Sequence, residues 1–326
     1  MRREDWEEPH VKKRSGSKLS VVGAGAVGTS LAYAALIRGA ASEVALMDIN
    51  EKKVRAEALD MAHGSQFLPP AKIEGSDDVA VTANSDIVVI AAGAKQQPGE
   101  TRMDLAEKTV SLMKKIVPGL VEQSPEAVFM LVTNPVDVTT QAVLKISGLP
   151  DGQVFGSGTV LDSSRLRWLV AQECDVAMSN VHAYICGEHG DSEIPLWSTS
   201  TIGGVPLRQW EEQTGQLSFQ RRKEIAERVV GAAYEVIEGK GATNYAIGLA
   251  GTRIIQAVLR DEHLVLPVSS MLHNWHGISG VCMSVPQIVG REGVIKPLEL
   301  PVSAQELVGL QNSADHIRTV AASLGF

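Results

Sequence analysis

Three glycines, Gly23, Gly25 and Gly28, have the spacing GxGxxG within the sequence KLSVVGAGAVGTS of residues 18–30. In a strand-turn-helix unit the first glycine allows a tight turn, the second lets the backbone approach a pyrophosphate, and the third lets the helix pack closely on the strand. The N-terminus of the helix then faces the anion. A flexible loop is the alternative, but the apolar strand before these glycines and the helical pattern after them favour dinucleotide binding.

An aspartate ends the second predicted strand, EVALMD, twenty residues past the third glycine. Asp48 in this position would accept hydrogen bonds from an adenosine ribose. The same carboxylate would repel a 2′-phosphate, so NAD is favoured over NADP as the ligand. The alternative is a solvated side chain at the end of a strand, without a ligand.

A histidine, His189, lies in the sequence GEHGDSEIP directly after the predicted strand VHAYIC. Gly187 and Gly190 bracket this histidine and would let other groups approach the imidazole closely. Metal binding through His182, Glu188 and His189 is an alternative, but their spacing matches no zinc pattern. The sequence therefore predicts no metal site.

An acid and a base, Asp162 and Arg165, lie three residues apart on a helix predicted to begin near Thr159. At this spacing the two side chains share one face of the helix, which is otherwise largely apolar. One explanation is an intrahelical ion pair worth a few tenths of a kcal/mol. The other is that each side chain faces a functional site.

Polar residues also follow two apolar strands. The run IVVIAAG ends at Gly93 and continues into GAKQQPGETRMDL, which carries Gln96 and Arg102; the run AVFMLVT ends immediately before Asn134. The carboxyl ends of parallel strands are where such sheets bind ligands. We expect Asn134 to bind a ligand rather than only to start a turn before Pro135, and the segment with Arg102 is either a closing lid or a plain surface loop.

The elements that must position these residues alternate between strands and helices up to about residue 150. This alternation predicts a parallel, doubly wound sheet, with Val79–Thr82 as one of its strands. The predicted fold class is α/β: an N-terminal Rossmann domain over residues 18–158 and a C-terminal α+β substrate domain over residues 159–326.

In the second domain, a long amphipathic helix is predicted from Phe219 to a stop at Gly239, and another helix begins at Tyr245. Thr243 lies between these two helices, a position suited to capping or to a pocket. Three strands between residues 263 and 298 are predicted to form antiparallel hairpins. Residues 303–324 are predicted to form a terminal helix.

The composition narrows the class of protein. A chain of 326 residues with 44% hydrophobic residues can fill a sizeable core, and a net charge of −8 argues against a nucleic-acid surface. No apolar run reaches the roughly 20 residues needed to cross a bilayer. Three cysteines at no metal-like spacing suggest free thiols in a reducing cytoplasm. Residues 1–17 have no apolar core and read as a disordered tail or an arm that docks on a partner subunit.

Taken together, these motifs resemble the family of NAD-dependent L-lactate and malate dehydrogenases, in order and in spacing, over residues 18–326. The matching motifs are GAGAVG, Asp48, GETR, TNPVD, LDSSRLR, GEHGDSE and KGATN.

The resemblance implies roles for individual residues. His189 would be the general acid/base, Asp162 would orient the imidazole and stabilise its charged form, and Arg165 would hold the substrate carboxylate with a two-pronged hydrogen bond. Arg102 would polarise the substrate carbonyl after lid closure, and Asn134 would bind both the cofactor and a substrate oxygen. The cofactor NAD would contact Gly23, Gly25, Val27, Gly28, Asp48, Gly93, Asn134 and Ile247.

The resemblance also implies which substrate is bound. In this family the residue six before the lid arginine selects the substrate, and here it is Gln96. Malate enzymes carry arginine there to neutralise the second carboxylate of oxaloacetate, which an amide cannot do, and burying an unpaired carboxylate costs several kcal/mol. Neutral neighbours such as Gln96 and Thr243 suit the methyl group of pyruvate, so pyruvate and L-lactate are the expected substrates. The alternative among the enzymes is a malate or branched 2-hydroxyacid dehydrogenase. The alternative from another class is a catalytically inactive (silent) NAD-binding or structural protein.

Regulation and assembly are implied in the same way. Arg167 and His182 match positions that bind fructose 1,6-bisphosphate at a subunit interface in allosteric bacterial lactate dehydrogenases. An exposed arginine on a helix and a histidine on a strand, without a ligand, are the alternative. The resemblance further implies a cytoplasmic homo-oligomer, a homotetramer in the allosteric bacterial type.

Overall fold

The structure is a computed structural model that describes residues 16–94 and 102–326, with residue 102 described by its backbone alone. The predicted tail or arm at residues 1–17 therefore lies outside the described residues, apart from Gly16 and Ser17. Gln96 also lies outside them. In the described part of the chain, no helix combines the length and apolar character needed to cross a membrane.

Six parallel strands form one half of a nine-stranded sheet, which confirms the predicted doubly wound architecture. Every residue of the three central strands is buried, as expected when helices cover both faces of a parallel sheet. The six strands are β1 (Lys18–Val22), β2 (Glu43–Met47), β3 (Lys72–Ser76), β4 (Ile87–Ile90), β5 (Val128–Leu131) and β6 (Val154–Gly156). They lie in the order β3-β2-β1-β4-β5-β6, so the strand order reverses between β1 and β4, and ligands bind at such a switch point.

One predicted strand of this half is wrong. Val79–Thr82 forms a short 3-10 helix, and the strand beside β2 is the earlier segment Lys72–Ser76. Local hydrogen bonds explain the difference: Asp78 caps the short helix by accepting from the Ala80 N–H at 2.9 Å, and the Thr82 hydroxyl donates to the Val79 carbonyl at 2.7 Å. The helices that cover this half are α1 (Ala26–Ile37), α2 (Glu51–His63), α3 (Arg102–Gln123) and α4 (Val136–Ser147).

The other half of the sheet is antiparallel, and the predicted hairpins are confirmed. The remaining strands are β7 (Val181–His182), β8 (Ile185–Cys186), β9 (Ile194–Pro195), β10 (Thr201–Ile202), β11 (Val205–Pro206), β12 (Leu264–Met271), β13 (Cys282–Gly290) and β14 (Gly293–Pro297). Strands β12, β13 and β14 form the antiparallel half and join the parallel half where Ser269 pairs with Gly156, so one sheet runs through both predicted domains. The remaining helices are α5 (Val160–Cys174), α6 (Leu207–Thr214), α7 (Phe219–Lys240), α8 (Tyr245–Leu259) and α9 (Ala304–Ser323).

Two further boundaries differ from the prediction. The segment predicted as one strand, residues 181–186, is divided between β7 and β8, which belong to different small sheets. The division follows from the intervening carbonyls, because Ala183 accepts a hydrogen bond from Arg167 and Tyr184 accepts one from Leu196. Helix α7 passes through the predicted stop and ends before Gly241, whose φ of +83° is the left-handed conformation that terminates helices.

Candidate active site

Three of the predicted site residues follow the carboxyl ends of adjacent strands. Gly23 follows β1, Gly93 follows β4 and Asn134 follows β5. A Cβ at Gly23 would lie 2.6 Å from the Ala92 nitrogen, and one at Gly93 would lie 2.5 Å from Cγ2 of Thr133. These glycines therefore allow the three strand ends to pack against one another, and they bring Asn134 to the same edge of the sheet.

The glycine turn after β1 leaves an open helix N-terminus. Gly25 is exposed, and apart from its chain neighbours no described residue has an atom within 4 Å of the position that a Cβ would take there. Gly28 is buried, and a Cβ at Gly28 would lie 1.9 Å from the Gly23 carbonyl oxygen. The first turn of α1 is thus packed directly on β1, while the outer side of the turn is free to receive an anion.

The Asp48 carboxylate lies against this turn. Its Oδ2 accepts a hydrogen bond from the Ala24 N–H at 2.7 Å, and its Oδ1 accepts one from the Asn50 N–H at 3.0 Å. These bonds fix a half-buried carboxylate beside the open helix N-terminus. The arrangement fits a dinucleotide, with phosphate at the helix and ribose at Asp48.

Two apolar residues predicted to face the cofactor lie in the first turns of neighbouring helices. Helix α8 packs along α1, where the Asn244 side chain donates to the Ser30 hydroxyl at 2.7 Å and Gly248 packs on Ser30. Val27 lies in the first turn of α1 and Ile247 in the first turn of α8, and both side chains are half-buried. The helix pair therefore brings Val27 and Ile247 to the same end of the helices.

Asp162 joins the predicted acid/base to the predicted substrate arginine. Its side chain is buried, and its Oδ2 lies 2.6 Å from Nδ1 of His189. Its Oδ1 accepts a hydrogen bond from Nη1 of Arg165 at 2.5 Å. The structure therefore contains the ion pair on α5 and also directs both of its members toward a site shared with His189.

A fourth residue, Asp137, was not indicated by the sequence beyond its place in the motif TNPVD. It is buried in the first turn of α4, and its Oδ2 accepts a hydrogen bond from the His189 backbone N–H at 2.8 Å. This bond holds the GEHG loop against the segment that carries Asn134. The contact links residues 52 positions apart in the sequence, so no local pattern could have indicated it.

The charges of these groups stabilise a protonated imidazole. Burial opposes ionisation of Asp162, but the charge and hydrogen bond of His189, with the charge of Arg165, hold its pKa below the ordinary value. Burial would also lower the pKa of His189, but the Asp162 carboxylate, aided by Asp137, raises it to about 9. Burial raises the pKa of Asp137 to about 6. Near neutral pH the pair therefore carries a proton on His189 and a negative charge on Asp162.

Asp162 and His189 also lie near the buried carboxyl group of Glu193. Among the described residues, these three form a group whose potential ligand atoms all lie within 4.8 Å of one another. Asp162 already uses both oxygens on His189 and Arg165, so this arrangement is better explained as a proton-binding cluster than as a metal site. The prediction of no metal remains a prediction.

Comparison with known proteins assigns both halves of the chain. The family model of the lactate/malate dehydrogenase NAD binding domain matches residues 17–156, and that of the lactate/malate dehydrogenase alpha/beta C-terminal domain matches residues 159–323. The chain belongs to the lactate/malate dehydrogenase family. Its N-terminal half is thus an NAD binding domain, in keeping with the turn at Gly25 and the carboxylate of Asp48.

Individual members of the family are similar over almost the full length. The chain is 54% identical to an L-lactate dehydrogenase of Bifidobacterium animalis subsp. lactis, over 95% of this chain and 98% of that protein. A solved lactate dehydrogenase from a Medee basin deep-sea metagenome library superposes with a TM-score of 0.92 at 35% identity, covering 95% of this chain and 99% of that one. The minor L-lactate dehydrogenase of Enterococcus mundtii, in a ligand-bound form, gives 0.92 at 36% identity, covering 94% and 98%.

The predicted regulatory residues of this family member lie close together. Nε of Arg167 donates to the Ala183 carbonyl at 2.9 Å, and its guanidinium lies 5.0 Å from the centre of the Tyr184 ring. His182 is exposed on β7, next in the chain to Ala183.

For three other predicted site residues, the described part of the structure gives few or no contacts. Arg102 is the first residue of α3, and its side chain lies outside the described part of the structure. Gln96 lies outside it entirely. Thr243 is half-buried between α7 and α8, two residues before α8 begins, as predicted. The roles assigned to these residues remain predictions.

Proposed function

We propose that this lactate/malate dehydrogenase family member is an NAD-dependent L-lactate dehydrogenase, which interconverts pyruvate and L-lactate. The observation that carries the proposal is that the buried Asp162 carboxylate contacts both His189 and Arg165. This arrangement provides a proton donor and a cation for a carboxylate within one site. The Bifidobacterium and Enterococcus relatives are both L-lactate dehydrogenases, which supports the same substrate.

In the reduction of pyruvate, individual side chains would have separate roles. Asp162 holds Nδ1 of His189, so the imidazole presents a protonated Nε2 to the carbonyl oxygen and releases that proton as the alcohol forms. Arg165 binds the substrate carboxylate with guanidinium N–H groups other than the one held by Asp162. Arg102 stabilises the charge that develops on the carbonyl oxygen. The chemistry that NAD supplies when bound is hydride transfer at its nicotinamide ring.

The direct test is a parallel assay with three keto acids. NADH absorbance is followed with pyruvate, oxaloacetate and 2-oxoisocaproate. We expect the highest kcat/KM with pyruvate. A preference for oxaloacetate or 2-oxoisocaproate would instead support a malate or branched 2-hydroxyacid dehydrogenase, and no turnover of any of them would support a silent NAD-binding protein.

The choice of pyruvate over oxaloacetate is proposed to depend on Gln96. A Gln96→Arg substitution supplies the cation that the second carboxylate of oxaloacetate needs. We expect the ratio of kcat/KM for oxaloacetate to that for pyruvate to rise by roughly 100-fold, the value of a few kcal/mol of restored charge pairing. Gln97→Arg, one residue further along the same segment, is the matched control. An unchanged ratio in Gln96→Arg would contradict the assignment of this position.

We propose that Arg167 and His182 form a site for fructose 1,6-bisphosphate. Their proximity and the exposure of His182 support this. Adding fructose 1,6-bisphosphate should lower the KM for pyruvate, whereas fructose 6-phosphate, with one phosphate, should have a weaker effect. Pyruvate saturation curves that are identical with and without fructose 1,6-bisphosphate would contradict the proposal.

We propose that the enzyme is a cytoplasmic homotetramer. Several large apolar side chains on α1, α2, α8 and the segment after α2 are exposed in the single chain, which supports contact with other copies. Buried free thiols support a reducing compartment. Light scattering should give four times the subunit mass, and a monomer mass would contradict the proposal. The exposed apolar residues are Tyr33, Ile37, Leu59, Phe67, Tyr245 and Leu249.

A further inference from the structure

Glu193 is a buried carboxyl group that no step of the proposed reaction uses. It lies four residues after His189, immediately before β9, and its residue exposure is only 8%. No described residue makes a hydrogen bond to its Oε1. Burying a carboxyl oxygen without a hydrogen-bond partner is costly, whereas a small polar or apolar residue here would avoid that cost. Its presence therefore calls for an explanation beyond packing.

Charged groups of both signs surround Glu193. Asp162 and Arg165 face it from α5, and His189 and Asp191 lie in its own loop. Across a cleft of about 370 Å³, Glu227 of α7 lines the same space. Burial and the Asp162 charge raise the pKa of the Glu193 carboxyl to about 8, so it holds a proton at neutral pH.

We propose that Glu193 is a positioning residue that keeps the proton on His189 as the solution becomes alkaline. Its ligand atoms lie within 4.8 Å of those of both His189 and Asp162. When Glu193 loses its own proton, the new negative charge favours the charged imidazole. Glu193 thereby extends the pH range over which the pair can donate a proton to a keto acid. The role rests on the proposed function, because proton donation is the step that it protects.

The charge of Glu193 depends on pH. Its raised pKa keeps the carboxyl group neutral at pH 7, where it adds little charge to the pair of His189 and Asp162. The negative charge beside the imidazole develops only as the solution becomes alkaline. Removing the carboxyl group should therefore leave activity near neutral pH largely intact and affect only the alkaline side of the profile.

The test replaces Glu193 with glutamine, which keeps the shape and removes the charge. Glu227→Gln is the matched control, because it removes a carboxylate from the same cleft, but this carboxylate is mostly exposed and so screened by water. We expect the alkaline midpoint of kcat/KM for pyruvate to fall by about one pH unit in Glu193→Gln, the lower end of the roughly 1–3 pH units by which an opposite charge at this distance moves a pKa. In Glu227→Gln it should stay at the parental value.

A second readout needs no turnover. The carbon-13 chemical shift of the His189 ring, assigned with a His189→Asn sample, reports the same protonation in the full-length protein without substrate. Its midpoint should fall in Glu193→Gln, and also in Glu193→Ser should the glutamine variant fold poorly. A midpoint equal to the parental one would overturn the inference. If the parent does not reduce pyruvate, the proposed function fails while this titration still decides the role of Glu193.

Discussion

His189→Asn is expected to lower kcat/KM for pyruvate by about 10² to 10⁴-fold, the usual contribution of a positioned general acid. The amide keeps a hydrogen-bonding group beside Asp162 but has no ring nitrogen that can deliver a proton at neutral pH. NADH should bind with nearly unchanged affinity, because the predicted cofactor residues lie on α1, α8 and the strand ends. Stopped-flow reduction of pyruvate and fluorescence titration with NADH measure the two quantities separately.

The direction of the pH dependence follows from the same pair. The raised pKa of His189, about 9, keeps the imidazole protonated below that pH. Pyruvate reduction needs this form, so kcat/KM should be flat in the neutral range and fall as pH rises through about 9. Lactate oxidation needs the neutral imidazole and should show the opposite trend. In Asp162→Asn the stabilising charge is lost, so the reduction profile should fall at a lower pH than in the parent.

Two results would contradict this assignment. Parental turnover in His189→Asn would mean that another group supplies the proton. An alkaline midpoint in Asp162→Asn equal to that of the parent would mean that the 2.6 Å contact between Asp162 and His189 does not control the protonation of the imidazole.

The sequence predicted best the features that depend on local patterns. The glycine turn is an example, because Gly23 at φ +103° and the tight packing at Gly28 both follow from the spacing in GAGAVG. The location of Gly93 and Asn134 at the carboxyl edge of the sheet was also predictable, since each comes directly after an apolar run. Chain order alone, through strands that alternate with helices, was enough to predict the doubly wound parallel half.

Features that depend on contacts distant in sequence were not predictable in the same way. Asp137 holds the backbone of His189, and Glu193 lies beside Asp162, but neither pairing has a periodic signal in the chain. The strand predicted at Val79–Thr82 failed for a related reason: its apolar composition suits a strand, while side-chain hydrogen bonds close it into a 3-10 turn. Propensity is a weak guide where such local bonds compete with it.

Gly28→Ala is expected to destabilise the N-terminal half and to weaken NADH binding as a consequence. The added Cβ would lie 1.9 Å from the Gly23 carbonyl oxygen and 3.2 Å from Cγ1 of Val21. Neither the β1 backbone nor the first turn of α1 can yield without separating helix from strand. Overpacking of this kind costs roughly 1–3 kcal/mol of the free energy of unfolding. Urea unfolding of the enzyme without cofactor should show the midpoint at lower urea.

Gly25→Ala is the matched comparison, because the same methyl group is added three residues earlier, at φ −78° and with no atom of another described segment within 4 Å. Its free energy of unfolding should stay within about 1 kcal/mol of that of the parent, since an alanine before a helix loses only the modest capping preference of glycine. NADH affinity should nevertheless fall, because the methyl group projects into the space where the backbone is proposed to meet the pyrophosphate. If Gly25→Ala bound NADH as the parent does, the glycine turn would serve packing alone, and the cofactor would have to be held elsewhere along the strand edge.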